Sequence, residues 1–408
     1  MRNRFHLCLI IITVTCTTVL GQTKPDDLNI FGYFQVSFMQ FSEQDFKTNF
    51  PEVIESEWLP PQNTFSIQHL NLFLSKNISD HWRAFINFEF TNSFSSYKNW
   101  GAFNLEEVWI RYKPSDEFGT QAGLLIPTFN NLNEIKNRTP LLPYIFRPFV
   151  YETSLKDFFF FIEDFVPSRA WLQVSGTFKH RDIKFDYAFY TGNSPNISES
   201  GVYAPSGYDT TNTFLFGGRF GLRWLDLKAG ISLTSDKKNS FMDYNTYDFK
   251  FNRMPRHRLG VDFSLQVGTV YIESEFIQLM QDEDYLTVLR DGEPVNDVTR
   301  EFSFDGKFYY GMLLLNATKE LDLYISYSAA EIYFPWVAAV NPTVTIYDTR
   351  GKLSIPTVGA AWHINDSVIL KAQYLKMDIE EHTRLYSAVP VEVEQDRSIL
   401  MLAGSVFF

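Results

Sequence analysis

The chain has 408 residues, with 36 Lys and Arg against 48 Asp and Glu, a formal net charge of −12 and only two cysteines. An acidic balance of this size argues against a protein whose whole surface binds nucleic acid or anionic lipid. Aromatic residues make up 17% of the chain, with 40 Phe and 21 Tyr, yet no stretch approaches the roughly 20 apolar residues of a helical membrane span.

The first residues read as a targeting segment. Arg2 and Arg4 form a charged start, residues 7–20 an apolar core softened by threonines, and Val19-Leu20-Gly21 a cleavage site. Residues 1–21 are therefore expected to leave as a signal peptide, and residues 22–408 to form the mature domain. A lipoprotein reading through Cys16 fails, because Thr13-Val14-Thr15 lacks the leucine and small residue it requires. Both cysteines, Cys8 and Cys16, depart with the signal, so no disulfide, thiolate metal site or cysteine nucleophile is expected. Arg2 and Arg4 leave without any acid, which takes the formal charge from −12 to −14. An export signal, many aromatics and no hydrophobic helix fit an outer-membrane barrel, whose strands are apolar on one face only. A secreted soluble β-protein or two-domain hydrolase is the alternative at this point.

Alternation along the chain decides for the barrel. Residues 28–38 set Leu28, Ile30, Phe34, Val36 and Phe38 against Asn29, Gln35 and Ser37. Residues 68–75, 82–91, 105–112 and 120–126 continue the rhythm, with Glu106 expected at a membrane edge. After an interruption at 127–169 it resumes in 170–178, 183–191, 215–223, 225–234, 257–265 and 269–278. The segments 308–315, 321–327, 353–364, 368–375 and 397–408 complete an antiparallel, up-and-down transmembrane β-barrel of about sixteen strands. Lys184 and Asp186 read as isolated outward charges, a sign that the facing slips there.

The connections alternate in length. Short turns fall at 76–81, 113–118, 179–182, Trp224, 266–267, 317–320 and 365–367. Long connections fall at 39–63, 92–104, 127–169, 192–214, 235–256, 279–305, 328–352 and 376–396. Outer-membrane barrels have short periplasmic turns and long external loops, and a soluble sandwich has no reason to segregate them. Trp82, Tyr112, Phe178, Trp224 and Trp362 cluster beside the short turns, as an interfacial girdle would. The last strand alternates Leu400, Leu402, Gly404 and Val406 and ends at Phe408, the pattern that outer-membrane assembly machinery reads.

Two stretches resemble the phosphate-selective porin (O/P type) family of Gram-negative outer membranes. Residues 104–127, NLEEVWIRYKPSDEFGTQAGLLIP, are similar to its strand–turn–strand with a Tyr-x-Pro turn, followed by Pro127-Thr128-Phe129 at the start of a loop. Residues 185–193, FDYAFYTGN, are similar to its strand that ends in aromatic-x-Gly-Asn. The resemblance implies a homotrimeric passive channel in which the loop after the fifth strand folds inward. It also implies that inward arginines and a few lysines select anions.

The 127–169 stretch is the longest without alternation and is strongly apolar, so it must pack against something. Packing on the lumen wall, a subunit interface and a greasy route for solutes are its three readings. Lys136, Arg138, Arg147 and Lys156 within it, with Arg83, Arg111, Arg219 and Arg223 on polar strand faces, are the candidate constriction and solute-binding residues. Guanidinium and ammonium groups in a narrow pore act strongly on phosphate or carboxylate. Glu89 and Glu107 are candidate lumen acids, and Lys371, Glu273 and Glu275 share that face. Glu134, Glu152, Asp157, Glu163 and Asp164 within the loop offer the competing reading, in which the loop cations are tied up in structural pairs.

Enzyme and metal readings find no support in pattern. Neither Gly-x-Ser-x-Gly nor His-Glu-x-x-His occurs, and the acidic patches at 243–248 and 282–284 lack calcium-loop spacing. Gly217-Gly218-Arg219-Phe220-Gly221 lies in an alternating strand with no helix to follow, so it reads as close packing or a bend in the sheet rather than a phosphate cradle. The chain is thus expected to be a porin-like channel without cofactor or metal, passing small hydrophilic solutes, with anions such as phosphate as candidate cargo. The alternative is a plugged barrel whose external loops bind a ligand or partner. N-terminal sequencing of the exported protein should begin at Gln22, and an intact Met1 would contradict the signal-peptide reading.

Overall fold

The computed structural model describes residues 28–48, 61–91, 102–135, 138–151, 166, 168–194, 214–244, 247–281, 286–290, 293–294, 304–340, 343–385 and 391–408. They form one antiparallel sheet closed on itself. Sixteen strands make the wall: β1 (Asn29–Phe41), β2 (Gln62–Asn77), β3 (Trp82–Thr91), β4 (Ala102–Tyr112), β5 (Gly119–Leu125), β6 (Arg169–His180), β7 (Ile183–Asn193) and β8 (Phe214–Trp224) run through the first half. The second half is β9 (Leu227–Tyr244), β10 (Tyr247–Val267), β11 (Val270–Gln281), β12 (Phe304–Asn316), β13 (Leu321–Val340), β14 (Thr343–Asn365), β15 (Val368–Leu385) and β16 (Val391–Phe407). Each pairs with its chain neighbours, and β1 also pairs with β16, from Tyr33 opposite Phe407 to Phe41 opposite Ile399. Backbone bonds from Gly32 N–H to Phe408 O and from Phe408 N–H to Gly32 O finish the seam. This is the closed transmembrane barrel that the alternation predicts, and closure leaves no strand edge unpaired in the hydrocarbon.

The wall is inside-out relative to a soluble protein. Phe65, Phe189, Phe216, Phe220, Leu233 and Ile325 stand exposed on the outside, while Gln35, Asn71, Ser232 and Arg258 are buried on the inside. Trp82, Phe178, Trp224 and Trp362 are outward and exposed beside short turns, as an aromatic girdle requires. In β4 the register jumps from Glu107 opposite Asn87 to Leu105 opposite Phe88. Glu106 is the extra residue of a bulge there, which is how two adjacent glutamates fit an alternating strand.

Three expectations need correction. Lys184 and Asp186 do not face outward: Asp186 joins Arg223 and Thr177 on the inner face, and Lys184 shares that parity. Much of the chain at 235–256, 328–352 and 376–396 is not loop but ladder, since β13 and β14 pair continuously from Leu321–Trp362 to Val340–Thr343. Strand lengths therefore range from 7 residues in β5 to 23 in β14, which leaves the wall taller on one side. Finally, β12 is apolar on both faces: Phe308, Tyr310, Met312 and Leu314 are buried inside while Tyr309, Leu313 and Leu315 are exposed outside. Residues 1–27 and 152–165 lie outside the described residues, and the signal peptide, Lys156, Glu152, Asp157, Glu163 and Asp164 lie there with them, as does Lys136.

A charge placed on the lipid face tests the facing directly. Phe220→Arg should lower stability in urea titrations of bilayer-folded protein by about 2–4 kcal/mol. An unchanged midpoint would place Phe220 on the inside.

Candidate functional site

The inner wall divides into two sectors, and strand composition sets the division. From β1 to β11 the inward positions carry amides, hydroxyls, acids and arginines interleaved with buried aromatics and aliphatics such as Tyr33, Phe73, Phe85, Trp171 and Tyr190. From β12 to β16 they are mostly apolar, as at Met312, Tyr324, Ile355, Leu375, Met377 and Met401.

In the polar sector, side chains fall into rows that cross the strands, because inward residues of neighbouring strands lie side by side. Asn71 donates to Asn87 Oδ1 at 3.0 Å, and Asn87 donates to Glu107 Oε2 at 3.5 Å. Trp109 Nε1 donates to Glu107 Oε1 at 3.3 Å, and Arg138 approaches the same carboxylate at 3.9 Å. Glu89 is buried beside this row. The next row is aromatic, with Phe73, Phe85 and Trp109 stacked at centroid spacings of 5.7 and 4.9 Å. The third row is cationic: Arg83 and Arg111 are direct cross-strand partners. Arg83 Nε donates to Ser75 Oγ at 2.9 Å, and the Arg111 guanidinium lies 5.5 Å from the Trp109 ring centre.

Further round, arginines are neutralised by carboxylates. Arg223 grips Asp186 with two donors, and Arg219 reaches Asp262 with Nε at 3.1 Å and Nη2 at 2.5 Å. Glycine makes room for the second pair. A Cβ at Gly230 would sit 2.4 Å from Arg219 Nη2 and 2.5 Å from Asp262 Oδ2, and one at Gly217 would strike the Tyr190 ring. Of the two readings of the glycine-rich stretch of β8, close packing is the one seen, at Gly217 against Tyr190 and Gly218 against Phe189. Asp236 accepts from Arg256 Nε and Arg258 Nη1, each at 2.9 Å, and from Ser194; all three charged side chains are 0% exposed. Two cations on one carboxylate offset part of the desolvation cost of burying all three groups.

The segment after β5 meets both sectors. Thr128 N–H donates to Gln173 Oε1 at 2.9 Å and Asn130 N–H to Ser232 Oγ at 2.9 Å. Asn131 and Leu132 N–H both donate to Glu275 Oε1, at 3.0 and 2.7 Å, and Tyr151 donates to Glu275 Oε2 at 2.5 Å. Asn131 Nδ2 also donates to Glu273. On the opposite side, Ile145 and Phe146 N–H donate to Gln373 Oε1 at 2.7 and 2.8 Å. Lys371 Nζ donates to the carbonyls of Thr139 and Pro140 at 2.9 and 3.0 Å. Such bonds are needed because Thr139–Leu141 and Phe149–Tyr151 are single 3-10 turns that leave most of their backbone groups unpaired. Phe129, Leu132, Ile145 and Phe149 are at most 1% exposed and cluster with apolar wall residues such as Phe308 and Tyr310. Arg147 is buried here as well.

A cavity of about 320 Å³ lies between the inner faces of β4–β8, the turn at 113–118 and residues 128–134 of this segment. Gln121, Gln173, Ser175 and Thr177 give it polar walls. At its rim Lys113 donates to Asp116 at 2.7 Å, and this bond holds the Asp116 carboxyl below the usual carboxylate range.

The structure therefore brings Glu107 and Arg138 together, sets Arg83 beside Arg111, and pairs Arg219 and Arg223 with acids of other strands. Sequence reading missed Asp236 and Arg256, because the strands read as 225–234 and 257–265 stop just short of them, and it passed over Arg258 although that residue lies within the second. The signal was present: Arg256 and Arg258 stand two apart, in phase with Asp262.

The architecture is a closed antiparallel barrel of sixteen strands. No family model matches the chain, and no curated protein matches it. Among solved structures it is similar to the loop L8 deletion mutant of OmpT, an outer membrane protein of Vibrio cholerae, with a TM-score of 0.52, 9% identity and coverage of 94% of this chain and 99% of that one. The anion-selective porin from Comamonas acidovorans gives 0.51, also at 9% identity, covering 94% of this chain and 99% of that one. The outer membrane channel DcaP of Acinetobacter baumannii gives 0.50 and 9%, covering 94% and 97%. Likeness at this identity fixes the fold.

Asp236→Ala would leave two buried guanidiniums without their shared carboxylate. Urea unfolding should show a loss of about 3–5 kcal/mol, whereas a loss under about 1 kcal/mol would mean that water already reaches the site.

Proposed function

We propose that this chain is a porin-like channel of a Gram-negative outer membrane, exported by its N-terminal signal and passing small hydrophilic solutes without chemical change. The observation that carries this reading is the polar inner sector, with ordered charges facing a 320 Å³ cavity, inside a fold shared with porins. In this account the segment at 127–151 folds into the lumen and narrows it. Its backbone bonds to Glu275, Ser232, Gln373 and Lys371 support that placement.

Anions, phosphate among them, are the proposed cargo class. Arg83 and Arg111 have no carboxylate within 4 Å among the described residues, so their charge is available to a passing ion. Arg219, Arg223 and Arg138 are partly neutralised and contribute less. A homotrimer is the proposed assembly, as in the trimer form of the similar OmpT of Vibrio cholerae, and the Phe408-terminated strand is the proposed signal for the assembly machinery.

A plugged barrel is the second reading, favoured by one observation: the segment's apolar residues join one buried cluster with wall residues of both sectors, such as Trp171, Tyr190, Phe308 and Leu375. Planar-bilayer recording under a salt gradient separates the two. A channel gives stable current steps with anion preference, and Arg111→Ala shifts the reversal potential toward cations. The double variant Glu275→Ala, Gln373→Ala should raise conductance by freeing the segment. Folded, heat-modifiable protein that gives no steps at all would overturn the channel and leave the plugged barrel.

A further inference from the structure

The charges lining the cavity between β4–β8 and the segment nearly all cancel, and those that remain are of opposite sign. Six charged residues line it: Arg111, Lys113, Asp116, Glu134, Asp186 and Arg219. Lys113 holds Asp116, Arg219 holds Asp262, and Asp186 is held by Arg223. That leaves Arg111, which lies over the Trp109 ring beside Arg83 and has no carboxylate partner among the described residues, and Glu134, whose side chain bonds the neutral Thr128. Of the two cations that act on Glu134, Arg219 is bound to Asp262, and Arg138 is shared with Glu107, which it approaches at 3.9 Å, so two acids face one guanidinium. Gln121 and Ser175, also on the wall, have no side-chain hydrogen bond among the described residues and remain available to a ligand.

We infer that this cavity is a binding site for a small zwitterion of the amino-acid or dipeptide class. The ligand carboxylate is received by the Arg111 guanidinium and its ammonium by the Glu134 carboxylate. The physical case rests on complementarity. A guanidinium meets a carboxylate with two parallel donors, and an ammonium suits a lone carboxylate as a compact charge. A ligand with one charge would satisfy only one of the two and leave the other facing it unpaired. Gln121 and Ser175 supply neutral donors and acceptors between the poles. At 320 Å³ the cavity stands at the small end of ligand sites, which excludes long chains. The inference depends on the channel reading only for the route by which the solute arrives.

The test is binding to folded protein in detergent, by titration calorimetry with L-alanyl-L-alanine, its N-acetyl derivative and its C-terminal amide. The zwitterion should bind roughly tenfold or more tightly than either derivative, the difference that one charge-assisted hydrogen bond makes. Glu134→Gln should abolish the preference over the acetylated compound, and Arg111→Gln the preference over the amide, with heat-modifiable mobility confirming that each variant is folded. Equal binding of the acetylated compound would reduce the cavity to a simple anion site. Absence of saturable binding to the wild-type protein would also overturn the proposal. Binding without conductance would sink the channel reading alone, and conductance without binding this inference alone.

Discussion

Hydrocarbon offers no partner to a backbone N–H or C=O, so a sheet in a bilayer must close, and everything else here follows from closure. The seam between β1 and β16, ended by the mutual bonds of Gly32 and Phe408, removes the last free edge. A Cβ on Gly32 would stand 2.7 Å from the Phe408 ring, so the glycine is what lets the terminal aromatic lie across the seam. Closure also commits the outward positions within the bilayer to lipid. The inward positions are thereby released from core packing and become available for charge, hydrogen bonding and apolar contact with whatever lies inside.

The protein uses that freedom unevenly. The polar inner positions of β1–β11 build charge networks, in which Asp262, Asp186 and Asp236 each hold arginines in fixed orientations. The apolar inner positions of β12–β16 offer a surface that water wets poorly, beside which Ile145 and Phe149 of the segment after β5 are buried, while Phe129 lies against Gly260 of β10. Division of the wall thus explains two things together. It gives an apolar segment a place to pack, and it leaves the remaining space lined by polar groups on the side of β4–β8.

Alternation made the strands legible, since one lipid face and one inner face impose a period of two that short turns then punctuate. The inward parity of Arg83, Arg111, Arg219, Arg223 and Lys371 was readable for the same reason. Pairing across strands was not. That Arg219 would meet Asp262, 43 residues away, depends on register and on the room left by Gly230. The ladders of β13 and β14 were hidden because Phe334-Pro335-Trp336-Val337 and Asn341-Pro342 break the alternation that marks a strand. The two-faced apolarity of β12 stood in the run Phe308 to Leu315, where alternation fails because the inner face also packs against apolar groups.

The claim most exposed to test is that residues 127–151 lie within the lumen against the wall. With both native cysteines in the segment expected to be cleaved, disulfide trapping offers a clean readout. Ile145→Cys with Gln373→Cys should cross-link under mild oxidation in intact outer membranes, whereas Ile145→Cys with Gln173→Cys should not. Efficient cross-linking of the second pair, or of neither, would place the segment elsewhere and remove the basis for the divided wall.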